Sequence, residues 1–133
     1  MSLPLTQGVN HIGLTTMCLE ESAHFFTSLL GWQEVRRRDD YPAIFVSDGS
    51  IMLTLWAAQT DDPTHFDRKR NVGLHHLAIS VNSKAALFEI HDRLSVRDVN
   101  IEFAPSLIRE GPAMHMMCYE PGGIRIEFYW AGE

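Results

Sequence analysis

The chain has 133 residues, a hydrophobic share of 45%, a charged share of 21% and a formal net charge of −6. That length buries one core but not two independent ones, and the composition is that of a globular protein. An acidic chain lacks the basic surface that phosphate contacts require, and no apolar run approaches a membrane span, so nucleic-acid binding and membrane crossing are not expected.

In chain order, residues 8–16 alternate as a strand, with His11, Gly13 and Thr15 on one side and Ile12 and Leu14 on the other. Leu19, Ala23, Phe26 and Leu30 fall on one helical stripe over 19–30, and Gly31 is placed to end it. Strands are expected at 32–38 and 43–47, then at 51–56 after the Asp48-Gly49 hairpin signal. The polar stretch 57–73, with Asp61-Asp62-Pro63 and Arg68-Lys69-Arg70, reads as a linker or functional loop.

The order then repeats. A strand is expected over 74–81 and a helix over 83–95, with Ser83 as N-cap and Ala86, Ile90 and Leu94 buried. Another strand is expected at 99–103, a loop at 105–112, and strands at 113–119 and 124–130 around the Pro121-Gly122-Gly123 turn. The phrase Val9-Asn10-His11-Ile12-Gly13-Leu14 returns as Leu74-His75-His76-Leu77-Ala78-Ile79. The chain is therefore two βαβββ modules, about 8–58 and 73–131, joined by a linker at 59–72 and packed as a single domain.

His11 and His76 are repeat-equivalent. Glu127 shares a strand face with Arg125 and Tyr129, opposite Ile126 and Phe128. A carboxylate on the inner face of a sheet is costly unless it is paired or bound to a cation. Matching Gly49-Ser50-Ile51 with Gly122-Gly123-Ile124 sets Thr54 against Glu127, so only the second module supplies a carboxylate. Two imidazoles and one carboxylate form the facial donor set that leaves coordination positions open on Fe(II).

Other side chains have a functional and a structural reading. His115 lies mid-strand and, on the inner face, would be a nearby acid/base, or else a core or rim histidine. His75 is expected to point away from His76 and to be structural. His24 and His91 belong to helices and are expected exposed or half-buried. Arg36 and Arg38 share a strand face that could hold an anion or simply be solvated. Met114, Met116 and Met117 read as core filling. Cys18 and Cys118 show no metal-knuckle spacing, and no export signal is visible, so a reducing cytoplasmic setting is expected.

The chain resembles the vicinal oxygen chelate superfamily, which includes glyoxalase I, extradiol ring-cleaving dioxygenases, methylmalonyl-CoA epimerase, and fosfomycin- and bleomycin-resistance proteins. The matching phrases are His11-Ile12-Gly13-Leu14, Phe25-Phe26 with Leu29-Leu30-Gly31-Trp32, His76-Leu77-Ala78-Ile79, and Glu120 through Glu127. The resemblance implies an α+β fold of two βαβββ modules whose curved mixed sheets surround a metal-centred cleft. It implies His11, His76 and Glu127 as ligands of a divalent ion, Fe(II) or Mn(II) for oxygen chemistry and Ni(II), Co(II) or Zn(II) for glyoxalase chemistry. A small-molecule substrate and a homodimer also follow from it. Two departures stand out. Thr54 occupies the place of the glutamate that glyoxalase I uses as fourth ligand. Met117 and Ile108 stand where ring-cleaving dioxygenases carry a tyrosine and a histidine, while Tyr119 and His115 lie out of register. The expected activity is a catechol-type extradiol dioxygenase, with a glyoxalase-like lyase or epimerase-like isomerase second. A ligand-sequestering protein of the bleomycin-resistance type is the alternative from another class.

Overall fold

The computed structural model describes residues 2–132, and the chain divides into two compact units, one through Ala58 and one from Gln59 onward. Each contains a four-stranded open sheet with the same connectivity.

In the first unit the elements are β1 (His11–Thr16), α1 (Leu19–His24), a π-helical turn (Phe25–Leu29), β2 (Gln33–Arg38), β3 (Ala43–Ser47) and β4 (Met52–Ala57). The sheet order is β1-β4-β3-β2. The crossover through α1 carries the chain from one edge to the other. The antiparallel β2-β3-β4 meander then brings β4 back beside β1, parallel to it. Period-two alternation decides the faces: Leu14, Ile44, Val46, Leu53 and Leu55 are buried beneath the helical layer.

The single helix expected over 19–30 is instead an α-helix that widens into a π-helical turn at Phe25. The wider turn buries Phe25, Phe26 and Leu29 together, whereas Leu19 and Leu30 of the expected stripe are only half-buried. Phe26 packs on Phe25 at 5.1 Å and on Trp32 at 5.0 Å between ring centroids. Each fully buried phenylalanine contributes roughly 1.5–3 kcal/mol of transfer free energy.

The second unit contains β5 (Leu77–Ser80), α2 (Lys84–Ser95), β6 (Asn100–Leu107), β7 (Met114–Tyr119) and β8 (Arg125–Trp130), in the order β5-β8-β7-β6. Again the first and last strands of the unit pair in parallel. Ser83 caps α2 as expected, its hydroxyl accepting from the Ala86 amide at 3.0 Å. The buried helix residues are Leu87 and Leu94, with Ala86 and Ile90 at the margin, so the stripe is rotated by one residue from the expected one. Met116, Cys118, Ile126 and Phe128 are fully buried.

Two strand limits differ from expectation. β5 begins at Leu77 rather than at residue 74, because its ladder with β8 starts at Leu77↔Ile126 and the residues before Arg125 form a turn with no strand to offer. β6 runs on to Leu107, through the expected loop at Pro105. As an edge strand it needs no second partner for the missing proline N–H, and its pairing with β7 shifts between Phe103 and Ser106 to absorb the ring. Both units match the expected α+β architecture of βαβββ modules with mixed sheets. Among the described residues, no helix is long and apolar enough to cross a membrane.

Candidate functional site

The face of each sheet turned away from its helix carries the chemically versatile residues. In the second unit, the ladder puts Ala78, Glu127 and Met117 in one row, and Ser80, Tyr129 and His115 in the next. Glu127 is 8% exposed, yet both of its oxygens are engaged. Oε1 lies 3.2 Å from His76 Nε2, and Oε2 lies 2.5 Å from His115 Nδ1. The His115 ring also rests on Phe103, at 4.9 Å between centroids. Two imidazoles thus satisfy a carboxylate that would otherwise be expensive to bury.

A hydrogen-bonded chain runs from His76 toward the 59–73 loop. His76 Nδ1 is 2.8 Å from His75 Nδ1, and Arg125 Nη1 reaches the same His75 nitrogen at 3.4 Å. The other two Arg125 nitrogens bond Glu102 in bidentate fashion, each at 2.9 Å. Tyr119 donates its hydroxyl to Glu102 at 2.8 Å, and Arg68 donates to the Tyr119 oxygen at 2.8 Å. These contacts, Arg125 foremost, hold the Glu102 carboxyl down at about 2. Partial desolvation, then the neighbouring Arg125 cation, keeps His75 below the ordinary imidazole range.

His75 is therefore not turned away from His76. Both histidines precede the first laddered residue of β5, so strand alternation does not govern their directions. The network of Arg68, Glu102, Tyr119 and Arg125 was missed from sequence. The Tyr119–Arg125 pair was accessible, since both flank one turn and face each other across it. Glu102 was not, because the bulge between Ile101 and Phe103 breaks the alternation that would have assigned its face. Glu120 was read only as part of the turn. It is 2% exposed, and its carboxylate accepts from the Ile124 amide at 3.1 Å, fixing the start of β8.

The first unit presents the corresponding face with different chemistry. Gly13 pairs with Thr54, and Thr54 with Phe45, as Ala78 pairs with Glu127 and Glu127 with Met117. Thr54 is buried, and its hydroxyl oxygen accepts from Trp56 Nε1 at 2.9 Å. A β-carbon at Gly13 would approach that oxygen at 3.1 Å, so the small residue makes room for this pair. His11 lies at the start of β1, exposed, with Nδ1 2.7 Å from Asn10 Oδ1. With Nδ1–H donated to that oxygen, Nε2 keeps its lone pair.

Arg36 pairs with Phe45 and Arg38 with Ala43, which sets both arginines on the Thr54 face. Arg38 is committed to Asp40 at 3.1 Å and sits 5.8 Å over the Trp56 ring; Arg36 is exposed. Met114, Met116 and Met117 are buried as expected. His24 is exposed and His91 half-buried.

Of the three expected metal ligands, His76 and Glu127 are brought together in the second unit, and His11 belongs to the first. Among the described residues no three His, Cys, Asp or Glu side chains already form a ligand cluster. The donor chemistry of the pair nevertheless suits a divalent ion. Two donors about 2.1 Å from one ion lie roughly 3.0–3.4 Å apart at octahedral or tetrahedral angles. The His76–Glu127 separation of 3.2 Å falls in that interval.

The model of the glyoxalase/bleomycin resistance protein/dioxygenase superfamily matches residues 8–128. The chain belongs to this superfamily, the vicinal oxygen chelate proteins that its repeated phrases resemble. Among solved structures, a glyoxylase/bleomycin resistance protein/dioxygenase domain from Frankia sp. EAN1pec matches with a TM-score of 0.83 at 25% identity, over 95% of this chain and 98% of its own. A lactoylglutathione lyase from Agrobacterium tumefaciens matches with a TM-score of 0.75 at 17% identity, over 97% of each chain. A fosfomycin resistance protein from Listeria monocytogenes matches with a TM-score of 0.72 at 13% identity, over 95% of this chain and 94% of its own. The last two identities speak for the fold alone. A search of curated proteins finds no match.

Proposed function

We propose that the protein is a metal-dependent enzyme acting on a small molecule that presents two neighbouring oxygens, with His11, His76 and Glu127 as the protein ligands. A divalent ion held there supplies Lewis-acid stabilisation of charge on the substrate oxygens and, as Fe(II), a site for O₂. The residues of this chain do the rest. His76 and Glu127 set two donors at a fixed separation, and His115, bonded to Glu127, is the nearest group able to take or return a proton.

Oxygen-dependent ring cleavage is the reading we favour, and Thr54 carries it. The position that would furnish glyoxalase chemistry with a carboxylate base holds a buried hydroxyl already engaged by Trp56. With His11, His76 and Glu127 as its only protein donors, a bound ion would have room for substrate oxygens and O₂. Met117, buried beside Glu127 where a ring-cleaving enzyme would carry a tyrosine, favours the second reading, an isomerase or lyase in which His115 is the base.

The experiment is anaerobic loading with Fe(II), followed by addition of catechol or a dihydroxybiphenyl while O₂ uptake and ring-opened product are recorded. Uptake that disappears in His76→Ala and Glu127→Ala supports ring cleavage. No uptake across a catechol panel, together with turnover of a hemithioacetal by the Ni(II), Co(II) or Zn(II) form, replaces it with the second reading. Metal content unchanged in His11→Ala, His76→Ala and Glu127→Ala removes the ligand set.

We further propose a homodimer. Trp56 and Trp130 are half-buried aromatics on strands that end their sheets' meanders, whereas Phe128 lies in the core and offers nothing to an interface. Sedimentation is expected to give twice the 15.1 kDa of one chain, and a monomer at micromolar concentration would overturn it.

A further inference from the structure

We propose that Arg36 sets the substrate class of the site: it binds the carboxylate of an acidic aromatic substrate whose ring lies against Phe45. The observation begins with a β-bulge in β2. Glu34 pairs with Val46, but the next laddered residue, Arg36, pairs with Phe45, so Val35 is the extra residue. Regular alternation would keep Glu34 and Arg36 on one face, and the bulge separates them. Glu34 stays on the helix side with Arg37, which donates to it at 3.0 Å and to Glu20 of α1 at 2.6 Å. Arg36 is turned to the opposite face, into one cross-sheet row with Phe45, Thr54 and Gly13.

The same bulge recurs in the second unit. Ile101 pairs with Cys118 and Phe103 with Met117, which leaves Glu102 as the extra residue. The row there is Phe103, Met117, Glu127 and Ala78, position for position the counterpart of Arg36, Phe45, Thr54 and Gly13. Phe103 reaches the face that carries Glu127, its ring 4.9 Å from that of His115. The residue after the bulge thus feeds a side chain onto the face opposite the helix in each unit, and in the first unit that side chain is a guanidinium.

Its neighbours are committed and Arg36 is not. Arg37 is held by Glu20 and Glu34, and Arg38 by Asp40 at 3.1 Å, with its guanidinium 5.8 Å over the Trp56 ring. Among the described residues no carboxylate pairs with Arg36, and the ladders put no Asp or Glu on its face, in a chain whose net charge is −6. A free guanidinium fork matches a planar carboxylate with two parallel hydrogen bonds. Half-buried Phe45, directly across the ladder, offers a ring surface beside it. Blunting the edge of a sheet with charge needs only exposure, on either face, so it does not account for a bulge that re-aims the residue. His11 lies on the other edge strand of this sheet, three strand spacings or roughly 14 Å away between backbones, which places the carboxylate on a side arm of the substrate. The inference rests on the proposed function for the two neighbouring oxygens and adds the rest of the molecule: an aromatic body with an anionic arm.

The test is calorimetric titration of the metal-free protein with dihydroxyphenylpropionate and with propylcatechol, its uncharged counterpart. Wild type is expected to bind the acid about 10-fold more tightly than the alkylcatechol. Arg36→Gln should erase that preference by weakening the acid alone, and Arg36→Lys should keep part of it, the charge remaining without the fork. Phe45→Leu should weaken both probes alike. Arg36 is exposed, so its replacement disturbs no packed core. Equal affinity of the wild type for the two probes overturns the proposal, as does a preference for the acid that survives in Arg36→Gln. Weakening of both probes alike in Arg36→Gln also overturns it, since the residue would then act on the fold rather than on the carboxylate. The metal reading fails separately: should wild type, His76→Ala and Glu127→Ala take up Mn(II) alike, those residues do not hold the ion, and the metal-free titrations still decide the role of Arg36.

Discussion

Thr54 holds in the first sheet the ladder position that Glu127 holds in the second. Each lies on the last strand of its unit, each is paired in parallel with the residue two beyond a histidine, and each is buried on the face opposite the helix. The duplicated fold thus offers two equivalent places for a carboxylate, and this chain fills one. The other is closed by the Trp56 indole, which donates to the threonine hydroxyl. The asymmetry separates the proposed chemistry from that of a four-ligand site.

Thr54→Glu tests this separation. The longer side chain must displace the Trp56 contact, and its carboxylate loses hydration at a position now 3% exposed. Without metal the variant is expected to be less stable by about 1–3 kcal/mol in denaturant unfolding. With metal, O₂ uptake on catechols should vanish as the new carboxylate takes an open position. Hemithioacetal isomerisation should rise if the scaffold still accepts that chemistry. Uptake at the wild-type rate would mean that Thr54 does not border the reacting centre.

His115 is the second place where one substitution separates roles. In His115→Ala, Glu127 Oε2 loses a 2.5 Å partner while remaining nearly buried, at an expected cost of about 1–3 kcal/mol of stability. If His115 also moves the proton in turnover, kcat should fall about 10²–10⁴-fold with little change in metal content. His115→Gln retains a donor and should recover most of the stability but not the rate. Full activity in His115→Gln would reduce the histidine to a support for Glu127.

The fold was largely legible because its signals are local and repeated. The His11 and His76 phrases mark equivalent strands, and the Gly49 and Gly122-Gly123 turns set Thr54 against Glu127, an alignment the two ladders reproduce. The site was legible only where strand periodicity reached. Glu127 and His115 could be assigned a face because both lie inside regular ladders. His75 and Glu102 could not, since one precedes its strand and the other lies at a bulge. Pro105 misled for a related reason: a proline signals a loop unless the strand is known to lie at a sheet edge.

The two cysteines should differ sharply in reactivity. Burial pushes the Cys118 thiol up to about 12, and it is fully enclosed between the sheet and its helix. Cys18 is half-buried at the start of α1. Native protein treated with an aromatic disulfide reagent at mildly alkaline pH should label Cys18 alone, and Cys118 only upon unfolding, because the thiolate is the reactive form. Rapid loss of both thiols from the native state would show that the second unit opens readily.

Acid stability should report on the Glu102–Arg125 pair. The Glu102 carboxyl is held at about 2 by Arg125 first, with Tyr119 also bonded to it, whereas an unfolded glutamate titrates near about 4.3. A depressed folded-state value means that the unfolded chain binds the proton more readily. The stabilisation is therefore complete above about 4.3, and it is lost as pH falls through that value toward about 2. Glu102→Gln should be less stable than wild type near neutrality by on the order of 1 kcal/mol, solvent screening having reduced the worth of a partly exposed pair. The difference should shrink steadily below about pH 4.3 and nearly close by about pH 2. Parallel stability curves for wild type and variant across that window, measured by urea unfolding, would show that Glu102 keeps an ordinary carboxyl and that Arg125 is held by other means.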